Sequence, residues 1–201
     1  MKRFLSILLV CFLIISVGVI GVAASNTATE AFDYNEIRSA VLLVDTSRVM
    51  GLGHTAIILV DSAGRGIYYS FHNSIMVVPF GRGDSDRIVL TAAQAAQVFQ
   101  DGLIPGDTRG YQYNQIIQFE VLPSEGLAMF QYAESIERWV YNAFAGLIPL
   151  GEQCDTVVRN ILSAGGRRYR FFTIGLPIMS FNAMRRTLRQ NSIPYTVHLP
   201  A

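Results

Sequence analysis

From about residue 39 onward, short unbroken apolar runs bounded by turn residues give way to longer stretches with helical spacing. "SAVLLVDTS" (39–47) and "HTAIILVD" (54–61) read as buried strands, each a short continuous apolar run. "SAGRG" supplies a turn into the aromatic-rich "GIYYSFH" (66–72), and "IMVVPF" (75–80) continues the meander until Pro79. "LTAAQAAQVFQDGL" predicts a helix opened by a Thr91–Gln94 capping box and stopped by Gly102 and Pro105. "YNQIIQFEVLP" (113–123) alternates in part, as a strand does. The longest predicted helix is "SEGLAMFQYAESIERWVYNAFAGL", with Leu127, Phe130, Ile136, Val140 and Phe144 along one side. "GEQCDTVVRNILSAGG" then reads as a helix with Cys154 in its first turn and Gly165-Gly166 at its stop. Beyond "YRFFTI" come a short helix around "NAMRRTLRQ" and a terminal strand, "IPYTVHLP". Consecutive strands with hairpin-length joins, followed by helices, predict an α+β domain with an antiparallel sheet packed against helices.

The hydropathy of the first 25 residues changes this picture. "MKRFLSILLVCFLIISVGVIGVAAS" has Lys2 and Arg3, then no charge from Phe4 to Ala24, and ends in small residues. That is the pattern of a signal peptide cleaved near Ala24 or Ser25, and the alternative is an uncleaved membrane anchor. Either places residues 26–201, read as one domain with a basic carboxy-terminal portion, outside the cytoplasm: periplasmic, secreted or membrane-anchored. Cys11 lies mid-run after Val10, so a lipoprotein attachment does not fit.

Cys154 is then the single cysteine of the exported part. Exported proteins usually pair their cysteines, so a leftover thiol is a bridge to another chain, a reactive group or an inert buried side chain. Charge is uneven as well. After the apolar segment come 14 Arg, no Lys and 15 acidic residues, yet seven Arg and no Asp or Glu follow Asp155. The carboxy-terminal quarter is a cationic face, either balanced by acidic residues folded against it or free to contact an anionic surface. Nucleic acid does not suit this compartment.

A nucleophilic cysteine needs a base and a group to orient that base. The start of a helix favours the thiolate through free N–H groups and the dipole. Among the three histidines, His54 has the best context, because Gly51 and Gly53 leave space beside it and a strand holds it. If "HTAIILVD" and "GIYYSFH" form a hairpin, Ser70 and His72 share one face near His54, and either is placed to hold its second nitrogen. His198, three residues from the end, ranks last. No H-x-x-x-H or paired cysteines occur, so neither a metal site nor a cofactor is expected.

"GHTAIILVDSAGRGIYYSF" followed by "YNAFAGLIPLGEQCDTVVRNILSAGG" resembles the circularly permuted NlpC-type, papain-like cysteine hydrolases. That superfamily includes the lecithin retinol acyltransferase-like enzymes. The histidine strand precedes the cysteine helix, as in the permuted arrangement, and the resemblance covers roughly residues 40 to 166. It implies a permuted papain-like fold with Cys154 as nucleophile, His54 as base, and Ser70 or His72 as the third polar residue. Many relatives carry Asn before the cysteine, where this chain has Gln153, a side chain that can still donate toward an oxyanion. The expected activity is a thiol hydrolase acting on an amide or ester, with cell-wall peptide as the substrate suited to the compartment. A lipid acyltransferase or deacylase of the same fold is the nearest variant; "GLIPLG" and "FFTIGLPIMSF", beside arginines, suit a lipid. The rival is a non-catalytic module that docks an anionic partner through its carboxy-terminal arginines.

Overall fold

Among the described residues, seven strands of mixed length form an antiparallel sheet in the order β6-β4-β3-β2-β1-β5-β7. The computed structural model describes residues 31–47, 53–73, 80–136, 140–142, 153–171 and 176–200. The amino-terminal apolar segment with Cys11, the 75–79 continuation, Gly51 and "GLIPLG" lie outside them. The strands are β1 (Ile37–Asp45), β2 (His54–Asp61), β3 (Gly66–Asn73), β4 (Phe80–Leu90), β5 (Gln115–Glu120), β6 (Val140–Asn142) and β7 (Tyr195–His198). Four α-helices accompany them among the described residues: α1 (Ala92–Asp101), α2 (Pro123–Glu134), α3 (Cys154–Ala164) and α4 (Pro177–Gln190). The chain is thus α+β, an antiparallel sheet packed against helices. Phe32–Ala201 forms one compact unit.

The unbroken apolar runs of β1 and β2 follow from their place in the middle of the sheet, where both faces are covered. On one face Leu42, Val44, Ile57 and Leu59 meet Met129 of α2, Val158 and Ile161 of α3, and Met184 and Leu188 of α4. On the other, Val41, Leu43, Ala56 and Ile58 meet Ala95 and Val98 of α1 and Tyr111 and Tyr113 of the segment after it. Each such Leu, Ile or Val contributes about 1.5–3 kcal/mol by leaving water. Gly126 lets α2 lie directly on β1, since a Cβ there would meet the Ile37 side chain at 2.5 Å.

Helix α1 begins and ends as the sequence directs. Thr91 Oγ1 accepts the Gln94 N–H at 3.3 Å, and Gln94 Oε1 accepts the Thr91 N–H at 2.9 Å. Three elements depart from the sequence pattern. The predicted long helix stops at Glu134, and Val140–Asn142 forms a strand against β4 instead. Its fully buried positions are Gly126, Met129 and Ala133, while Phe130 and Ile136 of the predicted apolar side are partly buried against the same core. Good helix-forming residues continue past Ser135, but the Ser135 hydroxyl donates to the Tyr132 carbonyl and the sheet edge takes the β-branched Val140. Strand β4 escapes a hydropathy reading because Asp84, Ser85, Arg87 and Val89 are exposed along it. Helix α4 starts earlier than expected, at Pro177, where the missing N–H of proline costs nothing.

Candidate active site

His54 is the first residue of β2 and is 2 % exposed. Gly53 before it has φ +88°, and a Cβ there would meet the Asp45 carbonyl oxygen at 3.0 Å and the Ile178 nitrogen at 3.1 Å. So the glycine is required by a left-handed backbone wedged between β1 and the start of α4, rather than by room for the imidazole. The β2–β3 register pairs Ala56 with Ser70, which turns His54, Ser70 and His72 to one side of the sheet. Of the two residues placed to hold the second nitrogen of His54, Ser70 does so and His72 does not. Ser70 Oγ lies 2.9 Å from His54 Nε2. Behind Ser70 the hydrogen bonding continues to Tyr68, whose hydroxyl is 2.7 Å from that of Tyr113. Burial raises both phenols well above their ordinary range, so this relay is uncharged.

Tyr111 covers the imidazole, with ring centroids 3.9 Å apart and planes within 7°. Its segment is tied down by Asp45, fully buried and directly across from His54 on β1, whose Oδ2 accepts the Gln112 N–H at 3.1 Å. The same carboxylate accepts the Ser47 N–H and hydroxyl through Oδ1. Neither Asp45 nor Tyr111 emerges from the sequence reading. The available signal was a charged residue closing the apolar run "AVLLVD", with "YQYN" ahead of β5.

Cys154 opens α3 at its first position, with Gln153 as N-cap, and both are 2 % exposed. The thiol sits against β2 at the residue after His54: the Thr55 backbone N–H donates to its sulfur, and the nearby N–H groups of Asp155 and Cys154 also favour the thiolate. Tyr111, stacked on His54, also feels the Cys154 charge, so the thiol lies in the same neighbourhood at the start of β2. The expected ease of ionisation is not what results. Burial pushes the Cys154 thiol up to about 12, the Asp155 carboxylate adds to this, and the backbone N–H groups pull less strongly the other way. The Gln153 side-chain nitrogen is buried with no hydrogen-bond partner. An unpaired buried donor costs about 1–3 kcal/mol, so this amide is a donor in want of an acceptor. Asp155 anchors the turn, accepting from Arg159 Nε at 3.0 Å and from the Ser180 hydroxyl of α4.

His72 belongs to a different group. It is 4 % exposed, and neither ring nitrogen has a hydrogen-bond partner. Its nearest charge is Asp86, at 3.7 Å from Nδ1. His198 stacks on Phe99 at 4.6 Å on the edge strand β7, separated from β2 by β1 and β5.

The arrangement brings together a thiol, an oriented imidazole and a free amide donor, the three functions that acyl transfer to sulfur requires. Comparison with models of known protein families, with curated proteins and with solved structures gives no match to this chain.

Proposed function

We propose that this chain is an exported thiol hydrolase of permuted papain-like type, cleaving an amide or ester through an acyl-enzyme. The observation that carries the reading is the convergence at the start of β2, where Ser70 holds His54 and the sulfur of Cys154 accepts the Thr55 N–H next door. In the reaction Cys154 Sγ attacks the carbonyl carbon while its proton passes to His54. With Nε2 engaged by Ser70, Nδ1 is the nitrogen that takes it. The oxyanion is met by the Gln153 amide and the N–H at the start of α3. His54 then returns the proton to the leaving amine or alcohol, and water hydrolyses the thioester by the reverse sequence. Because burial keeps the thiol protonated at rest and the Ser70–Tyr68–Tyr113 relay carries no charge, proton transfer accompanies attack rather than preceding it.

Substrate class follows from compartment and surface. Cell-wall peptide suits an exported enzyme. The acyltransferase or deacylase variant draws support from Ile178 and Met179, 40 % and 45 % exposed on the turn of α4 that touches Gly53. The test is acylation by 4-nitrophenyl acetate, followed by mass spectrometry of the Cys154 peptide. An acetyl thioester in the unaltered chain, reduced by about 10²–10⁴ in rate by His54→Ala, supports the hydrolase. No adduct, or one indifferent to His54, overturns it.

A second reading, a binding module without catalysis, is favoured by the same burial of Cys154 and by α4. There Arg185, Arg186 and Arg189 line an open groove with Asn182 and Gln190. A module of this kind binds anionic vesicles as well with Cys154→Ala as without, and forms no thioester.

A further inference from the structure

Beyond Tyr111 from the thiol lies a polar cluster that the proposed reaction does not use. It comprises His72 on β3, Asp84 and Asp86 on β4, and Asp107 and Arg109 from the segment after α1. Their ion pairs are loose, with His72–Asp86 at 3.7 Å, Arg109–Asp86 at 3.8 Å and Arg109–Asp84 at 3.9 Å. Elsewhere Arg65–Asp61 and Arg159–Asp155 close to 2.7 and 3.0 Å. These charges therefore neighbour one another without closing to hydrogen-bond distance.

Four buried atoms in this cluster have no hydrogen-bond partner: both nitrogens of His72, Asp86 Oδ2 and Asp107 Oδ2. Buried polar atoms are nearly always satisfied, so several orphans in one place mark a site built for something that brings its own hydrogen bonds. The sign of the missing group follows from the inventory. Three carboxylates face one guanidinium. Burial holds His72 below its usual range, which leaves the ring neutral with one nitrogen able to accept. Burial and the Asp86 charge push the Asp107 carboxyl up, as expected where a positive charge is lacking. Asp84, 58 % exposed in its side chain, opens the cluster to solvent.

We infer that His72, Asp86 and Asp107 form a subsite for a primary ammonium group. Such a group carries three N–H donors and one positive charge, matching the acceptors left unpaired there. His72 lies two residues along β3 from Ser70, which holds His54, and Arg109 lies two residues before Tyr111, which stacks on His54, so the subsite borders the proposed reactive centre. Where the hydrolase reading holds, the preferred substrate bears a free amine near the scissile carbonyl. The binding claim itself does not rest on that reading.

The experiment is a titration of the full chain carrying Cys154→Ala, with imidazole signals followed by nuclear magnetic resonance. Only three histidines are present, and His72→Gln assigns the relevant signal. Alanine amide, with its free ammonium, should shift the His72 signal saturably, and N-acetylalanine amide should not. Asp86→Asn with Asp107→Asn should weaken alanine amide at least tenfold while thermal unfolding stays cooperative. No response to alanine amide, or equal responses to the free and acetylated compounds, overturns the subsite. Because the probe variant lacks the thiol, neither result depends on whether Cys154 performs catalysis.

Discussion

The two faces of the sheet are made by the same strands and differ in what covers them. On the face under α2, α3 and α4, β1, β2 and β3 present Leu42, Val44, Ile57, Leu59, Ile67 and Phe71 to apolar helix positions. On the other face, α1 covers the half that holds Ile58, Tyr68 and Leu90. The remaining half holds Asp45, His54, Ser70, His72 and Asp86, roofed by the segment that carries Tyr111. One face can be built from hydrophobicity alone. The other needs a partner for every polar atom, and His72, Asp86 and Asp107 are where hydrogen-bond partners are missing.

Substitutions on the two faces should therefore fail in different ways. The largest separation is expected between Cys154→Ala and Ile161→Ala. The first abolishes acylation by 4-nitrophenyl acetate and leaves urea unfolding within about 1 kcal/mol of the unaltered chain. The second costs about 2–5 kcal/mol by opening a cavity under β2, while the surviving folded fraction still acylates. Ser70→Ala should do both at once, since it strands His54 Nε2: a rate loss of roughly 10² with about 1–3 kcal/mol of stability. Tyr111→Leu removes a stack worth about 0.5–1.5 kcal/mol, and Tyr111→Phe keeps it, so only the former should lower the acylation rate.

The smallest effect is a pH slope. Burial lowers His72 in the folded chain, so the unfolded chain takes up the proton first as pH falls through about 6.5. Stability should rise with pH across that window and decline below it, until the folded ring also protonates. His198 is lowered by burial in the same sense. His72→Gln should therefore reduce the slope in thermal melts at pH 5 to 7.5 without flattening it completely. A slope unchanged by His72→Gln would place the titrating group elsewhere.

Local signals carried much of the architecture. β2 runs over the residues its apolar run marks, and α1 has the capping box that "TAAQ" announces. His54, Ser70, Gln153 and Cys154 can be nominated from residue type and position along an element, and of these the structure joins Ser70 to His54. What escaped depends on contacts distant in sequence. Asp45 and Tyr111 acquire their roles only when the segment ahead of β5 folds over β2, and β4 is a strand because β3 needs a neighbour, with no apolar pattern of its own. The ionisation of Cys154 likewise depends on distant contacts. A helix start favours thiolate, but how deeply the sulfur is buried is a property of the packed sheet.

The most direct test is the rate of iodoacetamide alkylation of Cys154 against pH, in the unaltered chain and in His54→Ala. Alkylation should be slow at neutral pH, as for a thiol pushed up to about 12, with what reactivity there is falling at least tenfold in His54→Ala. Rates that superimpose in the two proteins and rise only with hydroxide would mean that His54 takes no proton from Cys154, and the proposed catalytic pair would be wrong.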